Sequence, residues 1–243
     1  MKKLGIGISD FKELIKGNYI YVDKTEYIYK LINSGKYYFL SRPRRFGKSL
    51  LLSTIRYLFE GQRELFKGLY IEEKWNWEEI HPVIRISFAK DIKRKEDLKG
   101  RIREEIEKNY ERNGEEMEEG KKDEGSLLER LVIRINKKKR KQVVILVDEY
   151  DKPILDVIED KKEAEEVRRE LKGFYSVLKD LDEYIKFVLI TGVSKFAKVS
   201  LFSGLNQLKD ISLDERYGNI CGYTQEELEI YFKEYLEGVD LEE

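Results

Sequence analysis

Residues Lys36–Phe59 read KYYFLSRPRRFGKSLLLSTIRYLF, and this stretch decides the fold. It begins with β-forming residues at Lys36–Ser41, and it ends with apolar residues at helical spacing: Leu50, Leu51, Ile55, Leu58 and Phe59. The pattern predicts a strand, a loop and a helix that ends near Gly61. The loop, Arg42–Ser49, matches the phosphate-binding pattern GxxxxGK followed by Ser or Thr, except that Arg42 replaces the first glycine.

The triplet Gly47–Lys48–Ser49 has a direct chemical interpretation at such a turn. Gly47 lets the backbone approach a phosphate, Lys48 places a cation between the β- and γ-phosphates, and Ser49 offers a hydroxyl to Mg²⁺. A GKS triplet also arises by coincidence, but the preceding strand and the following helix favour a phosphate site. We therefore predict that a nucleotide contacts the following residues: Arg42, Arg44, Arg45, Phe46, Gly47, Lys48, Ser49 and Leu50.

The arginines of this loop have more than one interpretation. Arg42, Arg44 and Arg45 can neutralise phosphate charge, pair with an acid such as Asp148, or form salt bridges at the surface. Phe46 between them can simply pack on the core. The sequence does not choose among these alternatives.

A second segment, VVILVDEYD at Val143–Asp151, is an apolar strand that ends in adjacent carboxylates. It resembles the Walker B pattern, in which Asp148 holds Mg²⁺ through water while Glu149 orients or deprotonates the attacking water. Alone, the segment also fits a buried strand that stops at a solvated acidic turn. Because a GKS loop precedes it in chain order, we predict one shared site. Its metal ligands are Ser49 and Asp148, and its catalytic residues include Lys48 and Glu149.

Thr191 ends another apolar strand, Phe187–Ile190. A polar residue at this place can sense the γ-phosphate from a neighbouring strand, and we predict a catalytic role for Thr191 on that basis. A threonine that only terminates a strand before Gly192 is the alternative.

Strand patterns and helix patterns alternate along the rest of the chain. This alternation predicts an α/β fold with a mostly parallel sheet and helices on both faces, whose ligands bind at the carboxyl ends of the strands. Capping-box patterns open the helices at Ser126 and Thr224. The other predicted elements are helices at Ser9–Ile15, Tyr27–Ile32, Glu96–Tyr110, Ser126–Lys137 and Val167–Leu178, strands at Pro82–Phe88 and Gln207–Leu213, a helix from Thr224 to the C-terminus, and a solvated connection at Asn113–Gly125.

Composition limits the classes of protein that fit. Lys plus Arg total 47 and Asp plus Glu total 48, so no global field attracts nucleic acid or a membrane. The basic run KKKRK at Lys137–Lys141 can contact nucleic acid, but cations also suit the end of the preceding helix, and we prefer that interpretation. The single Cys221, with no signal-peptide pattern and no membrane-length apolar stretch, indicates a cytoplasmic protein.

Several segments together resemble one known family: GISDFKELIKGNYIYVDKT, RPRRFGKSLLLS, LFKGLYI, HPVIRISF, VDEYDKPI, FVLITGVSKF and GYTQEEL. Their order is similar to that of the predicted AAA-ATPase-like family of bacteria and archaea, and they span nearly the whole chain. The resemblance implies a P-loop NTPase of the additional-strand type that binds ATP and Mg²⁺. It also implies that Arg42 belongs to the family's form of the loop, and that Tyr21 and Asp23 border an adenine pocket.

The resemblance further implies an ATPase domain at residues 1–215 and the start of a C-terminal helical lid at residues 216–243. Family members typically continue into a PD-(D/E)XK nuclease-like domain, so we expect the chain to be a short version or a fragment. We expect an ATPase with slow turnover that drives or gates a protein effector or nuclease-like domain in trans. Two alternatives stay open: a nucleotide-dependent switch that does not hydrolyse, and a nucleic-acid-binding protein.

Overall fold

The computed structural model describes residues 1–117, 123–195 and 198–237. Its strands are β1 (Tyr37–Ser41), β2 (Val83–Ser87), β3 (Val143–Asp148), β4 (Ile185–Gly192) and β5 (Lys209–Asp210). They form one five-stranded sheet in the order β2-β3-β4-β1-β5, and every pairing is parallel. The order inserts β4 between the strand of the phosphate loop and the strand of the acidic motif. The predicted fold class, a P-loop NTPase of the additional-strand type, is therefore confirmed.

Helices cover both faces of this sheet. They are α1 (Phe11–Lys16), α2 (Thr25–Ser34), α3 (Lys48–Phe59), α4 (Lys95–Arg112), α5 (Glu124–Lys139), α6 (Lys152–Asp156), α7 (Lys161–Ser176), α8 (Lys198–Leu201), α9 (Gln225–Tyr231) and α10 (Lys233–Leu236). Short 3₁₀ turns occupy Arg63–Phe66, Val177–Lys179, Asp182–Tyr184 and Glu215–Tyr217. In the described part of the chain, no helix combines the length and apolarity needed to cross a membrane.

Side chains of the central strand alternate between two hydrophobic cores. Ile145 and Val147 of β3 pack in the core shared with α4, α5 and α7, whereas Val144 and Leu146 pack in the core shared with α1, α2 and α3. Every residue of β3 is buried, as expected for a parallel strand covered on both faces. Burying each such side chain stabilises the fold by roughly 1.5–3 kcal/mol.

The start of α5 differs from the prediction. The carboxylate of Asp123 accepts a hydrogen bond from the N–H of Ser126 at 2.9 Å, so Asp123 caps the helix and Ser126 lies inside its first turn. The predicted cap at Ser126 is therefore wrong, because an acidic residue further upstream satisfies the free N–H group. Part of the predicted solvated connection, residues 118–122, lies outside the described residues.

The last helix also differs from the prediction. The capping box of Thr224 and Glu227 is confirmed by both of its hydrogen bonds. The helix nevertheless stops at Tyr231, and α10 begins after a break at Phe232. The predicted continuation through residues 238–243 lies outside the described residues.

The last strand is shorter than predicted. The sequence suggested Gln207–Leu213, but only Lys209–Asp210 pair with β1. Beyond that pair, the N–H of Ser41 donates to the side-chain oxygen of Ser212 at 2.8 Å. A side chain therefore replaces the backbone ladder at this point and ends the strand.

We expect Asp10→Ala to weaken the attachment of α1 to the helix that follows the phosphate loop. Asp10 caps α1 through the N–H of Glu13 at 3.0 Å, and it accepts hydrogen bonds from Tyr57 and Ser53 of α3. Loss of the cap and of these contacts should lower the free energy of unfolding by roughly 2–3 kcal/mol in urea titrations. Asp10→Asn keeps one acceptor and should lose less. Equal stability of Asp10→Ala and wild type would contradict this assignment.

Candidate functional site

The phosphate loop leaves the carboxyl end of β1 and enters α3 through two left-handed residues. Arg45 has φ 63° and Gly47 has φ 88°. Glycine adopts this conformation without steric cost, so Gly47 is required by the backbone as well as by the motif. Among the described residues no side chain caps the start of α3, and the free N–H groups of its first turn can therefore bind an anion.

Lys48 is buried, with 6% of its surface exposed. Its ammonium donates to the carbonyl oxygen of Arg42 at 2.9 Å and to that of Pro43 at 2.8 Å. Burial lowers the pKa of Lys48, while the carboxylates after β3, above all Asp148, oppose this shift. Within the part of the chain that the structure describes, the ammonium thus donates only to neutral acceptors. An anionic phosphate would pair with it more strongly than these carbonyls do.

Asp148 lies at the end of β3 and is 3% exposed. The hydroxyl of Thr191 donates to Asp148 Oδ1 at 2.9 Å, with the carbonyl of Val147 at 3.2 Å, and Arg85 Nη2 lies 3.8 Å from Asp148 Oδ2. Thr191 itself has no exposed surface. The buried hydroxyl of Thr191 thus orients the Asp148 carboxylate, and the sensor role of Thr191 stays a prediction.

Glu149 follows directly, and its backbone is left-handed with φ 56°. This conformation is uncommon for a residue with a side chain and turns Glu149 away from the direction of Asp148. Burial raises the pKa of Glu149, and the Asp148 carboxylate raises it further, while Lys152, Lys48 and Arg44 act in the opposite direction. A carboxylate with a raised pKa is a better proton acceptor than an ordinary one.

A cavity of about 970 Å³ lies over the loop. Its size is within the range of small-molecule sites in proteins. The predicted site residues that line it are Tyr21, Arg44, Arg45, Phe46, Gly47, Lys48, Ser49, Leu50 and Glu149. The structure thus brings most of the residues predicted to contact nucleotide, and the predicted base, to one cavity.

Two predicted nucleotide contacts point elsewhere. The guanidinium of Arg42 donates to backbone carbonyls, the shortest distance being 2.6 Å to Ser212. The carboxylate of Asp23 accepts from the N–H groups of Thr25 and Tyr70 at 2.8 and 2.7 Å. Backbone groups hold both side chains, and neither residue is among those that line the cavity. Their contact with nucleotide stays a prediction.

The sequence analysis missed Asp151. This carboxylate is 1% exposed and accepts hydrogen bonds from the N–H groups of Val193 and Ser194 at 3.1 and 2.6 Å. Burial raises the pKa of Asp151, and these backbone donors oppose the shift. Gly192 permits the contact, because a Cβ there would lie 2.6 Å from Asp151 Oδ1. The third acid of VDEYD was the signal that could have indicated this residue.

The sequence analysis also missed the outer walls of the cavity. Gly5–Ser9 and Ile20–Val22 from the start of the chain face Ile220–Tyr223 and Leu228 from its end. Side chains such as Ile6, Ile8 and Ile220 make these walls largely apolar. The sequence indicated these walls through the adenine pocket that the family resemblance implies beside Tyr21.

The donor set near the loop fits a divalent cation held jointly with phosphates. No group of three His, Cys, Asp or Glu side chains able to hold a metal occurs within residues 1–117, 123–195 and 198–237. Mg²⁺ in phosphate-transfer sites is bound by one or two protein oxygens together with water and substrate phosphates. The hydroxyl of Ser49 and the carboxylate of Asp148 supply oxygens of that kind.

The basic run lies at the other edge of the sheet. Lys137–Lys139 form the last turn of α5, just before β3 begins, whereas the site residues follow the end of β3. Lys138 pairs with Glu115 at 2.6 Å and donates to the carbonyl of Gly114. This placement fits the interpretation of these cations as a helix end.

Two comparisons with known proteins found a match. The model of a family described as "Predicted AAA-ATPase" matches residues 5–202. A protein of Azotobacter chroococcum mcd 1, described as an uncharacterized protein in the vnfD 5′ region, is 46% identical over 244 residues. The match covers 100% of this chain and 47% of that protein, so the chain spans about half the length of this curated relative. No solved structure matches.

We expect Asp151→Ala to release the backbone that follows β4. The N–H groups of Val193 and Ser194 lose a buried acceptor, so their hydrogen exchange should become at least ~10-fold faster. Asp91→Ala is a suitable control because Asp91 is an exposed partner of Lys152. Unchanged exchange at both amides would show that the Asp151 carboxylate does not hold this segment.

Proposed function

Because the chain belongs to the Predicted AAA-ATPase family, we propose that this nucleotide-binding, ATPase-like domain hydrolyses ATP with Mg²⁺. One observation carries the proposal. The buried ammonium of Lys48 and the carboxyls of Asp148 and Glu149 converge beneath a cavity that the phosphate loop lines. This combination provides a phosphate-binding cation, a metal-binding oxygen and a proton acceptor in one place.

Binding is proposed to use charge that the loop already holds. Lys48 Nζ exchanges the carbonyls of Arg42 and Pro43 for phosphate oxygens, and the first N–H groups of α3 donate to the same anion. The apolar outer walls of the cavity take the base and exclude water from it. Arg44 and Arg45, which line the cavity mouth, add positive charge near the phosphates.

Hydrolysis is proposed to use Glu149 as the general base. A water oxygen attacks the γ-phosphorus while its proton passes to the Glu149 carboxylate. The bond between the γ-phosphorus and the bridging oxygen breaks, and its electron pair leaves with ADP. Mg²⁺, held by Ser49 and Asp148, supplies positive charge to the phosphate oxygens when bound. Thr191 keeps the Asp148 carboxylate oriented throughout.

A second candidate function is a switch that binds nucleotide without hydrolysis. The observation that favours it is the guanidinium of Arg85, 3.8 Å from Asp148 Oδ2. This cation stands beside the carboxylate that Mg²⁺ requires, and the two positive charges would compete for it. In either case we propose that the nucleotide state gates an effector protein or domain. The matched relative is longer than the region that this chain covers, which supports such a partner.

Two substitutions separate these functions. Lys48→Ala should lose both ATP binding and turnover, whereas Glu149→Gln should keep binding and lose turnover by roughly 100-fold or more. Phosphate release and binding of a fluorescent ATP analogue measure the two properties with Mg²⁺ present. The matched controls are Lys139→Ala and Glu159→Gln, which change exposed residues of the same types away from the cavity.

The results distinguish an ATPase from a switch and test the phosphate site itself. Binding by the wild-type chain without turnover would favour the switch, and full turnover by Glu149→Gln would exclude Glu149 as the base. Neither binding nor turnover by the wild-type chain would contradict the phosphate site itself.

The pH dependence of turnover should report the environment of Glu149. Since Glu149 must be ionised to accept a proton, turnover at saturating ATP and Mg²⁺ should fall as the pH drops through its raised pKa, above the ordinary value of 4.5. Lys152→Met removes the cation that most opposes this raised pKa, so the acidic limb should move to higher pH. Lys161→Met, at an exposed position, should not move it. A limb that stays in place in Lys152→Met would contradict the assignment.

A further inference from the structure

The side chain of Arg42 makes an unusual set of contacts for a phosphate loop. Its Nη1 donates to the carbonyls of Ser41 at 3.1 Å and Ser212 at 2.6 Å. Its Nη2 lies 3.3 Å from the carbonyls of Tyr217 and Gly218. Three of these four acceptors belong to the segment that follows β5. The planar guanidinium suits this task because it directs several donors at once, which a lysine ammonium cannot do with the same geometry.

The segment that Arg42 holds, residues 212–228, forms the outer wall of the nucleotide cavity. We call it the closing segment. Its residues Ile220–Tyr223 and Leu228 line the cavity together with the loop. The carbonyls of Tyr217 and Gly218 stand at the end of a 3₁₀ turn, where backbone acceptors lack partners within the turn. The N–H of Ile220 donates to Tyr217 at 3.2 Å, and Arg42 donates to both carbonyls.

Two further contacts attach the closing segment to the phosphate loop and to the start of the chain. The N–H of Gly222 donates to the carbonyl of Phe46 at 3.1 Å, and a Cβ on Gly222 would lie 2.6 Å from the Phe46 ring. The ammonium of Lys24 forms a salt bridge with the carboxylate of Glu227 at 2.5 Å, and the Lys24 side chain is 9% exposed. The loop and the start of the chain thus both contact the closing segment. At the end of β1, Arg42 acts beside the N–H of Ser41, which donates to Ser212 Oγ at 2.8 Å.

We propose that Arg42 is a positioning residue that fixes the closing segment over the nucleotide site. Its backbone carbonyl accepts from Lys48 Nζ, while its guanidinium holds the segment, so one residue joins the phosphate-binding lysine to the outer wall of the cavity. The use of this wall for a nucleotide rests on the proposed function. The attachment itself exists without a ligand and is tested without one.

Cys221 provides the measurement. It is the single cysteine of the chain, it lies in the closing segment with 6% exposure, and burial raises the pKa of its thiol to about 11. Its reaction with N-ethylmaleimide is therefore slow while the segment is closed and faster when it opens. Mass spectrometry of the intact, ligand-free chain gives the rate.

Arg42→Met keeps the aliphatic stem and removes every donor, so labelling of Cys221 should be at least ~10-fold faster than in wild type. Arg42→Lys should give an intermediate rate because an ammonium can still reach Ser212. The matched control is Arg216→Met in the same segment. Arg216 pairs with Asp214 and its side chain is 62% exposed, so its loss should leave the rate unchanged. Labelling of Arg42→Met at the wild-type rate would overturn the proposal.

Two more measurements distinguish the role of Arg42 in holding the closing segment from effects on folding and on nucleotide binding. If circular dichroism shows that Arg42→Met is unfolded, Arg42→Lys carries the test, and a wild-type labelling rate in that variant would overturn the proposal. ADP with Mg²⁺ should slow labelling of the wild-type chain, and Lys48→Ala should abolish this protection. Protection that is absent in wild type would count against the nucleotide site, while the ligand-free rates would still decide the role of Arg42.

A kinetic comparison distinguishes positioning from a general loss of structure. Arg42→Lys should raise KM for ATP by about 5- to 10-fold and change kcat by less than about 2-fold, because the outer wall contributes to binding and not to the chemical step. A fall in kcat with unchanged KM would contradict a role in closing the cavity.

Discussion

The parallel pairing of β4 with β1 on one side and β3 on the other is the constraint on which the site depends. The register places Leu40 beside Thr191 and Val147 beside Ile190. Three strands therefore end at the same edge, and the hydroxyl of Thr191 reaches the Asp148 carboxylate on the neighbouring strand. A shift of one residue in β4 would turn Thr191 to the other face of the sheet and remove this contact.

Several charged side chains lie buried where β1, β3 and β4 end. The Lys48 ammonium is surrounded by carbonyls of its own loop, and the carboxylates of Asp148, Glu149 and Asp151 stand nearby. A buried charge that loses its partner costs about 3–5 kcal/mol, so these groups constrain one another. Asp151 is satisfied by backbone N–H groups after β4, which lets it remain buried without a cationic partner in contact. Lys48 and the first N–H groups of α3 can therefore bind an anion, while Asp151 stabilises the surrounding backbone without contacting that anion.

The outer half of the cavity is built from the two ends of the chain. The pair of Lys24 and Glu227 joins residues 203 positions apart, and Glu227 is also the acidic member of the capping box that opens α9. The start of this helix is therefore stabilised by the same carboxylate that closes the cavity. A change that melts α9 would loosen the cavity wall, and a change at Lys24 would leave Glu227 with its helical role alone.

Hydrophobic periodicity and motif spacing were enough to locate β1, the phosphate loop, α3 and β3, because these elements depend on residues close together in the sequence. The same information predicts one site for Lys48, Ser49, Asp148 and Glu149. It could not indicate the hydrogen bond of Thr191 to a partner 43 residues away, or that of Arg42 to an acceptor 170 residues away. It also misplaced the cap of α5, because Asp123 and Ser126 are both polar residues of the kind that cap helices and lie three positions apart. Local pattern determined the elements and the motif chemistry, whereas only the tertiary structure decided which side chains touch the cavity, since a hydrogen bond between distant residues depends on strand order and leaves no periodic signal.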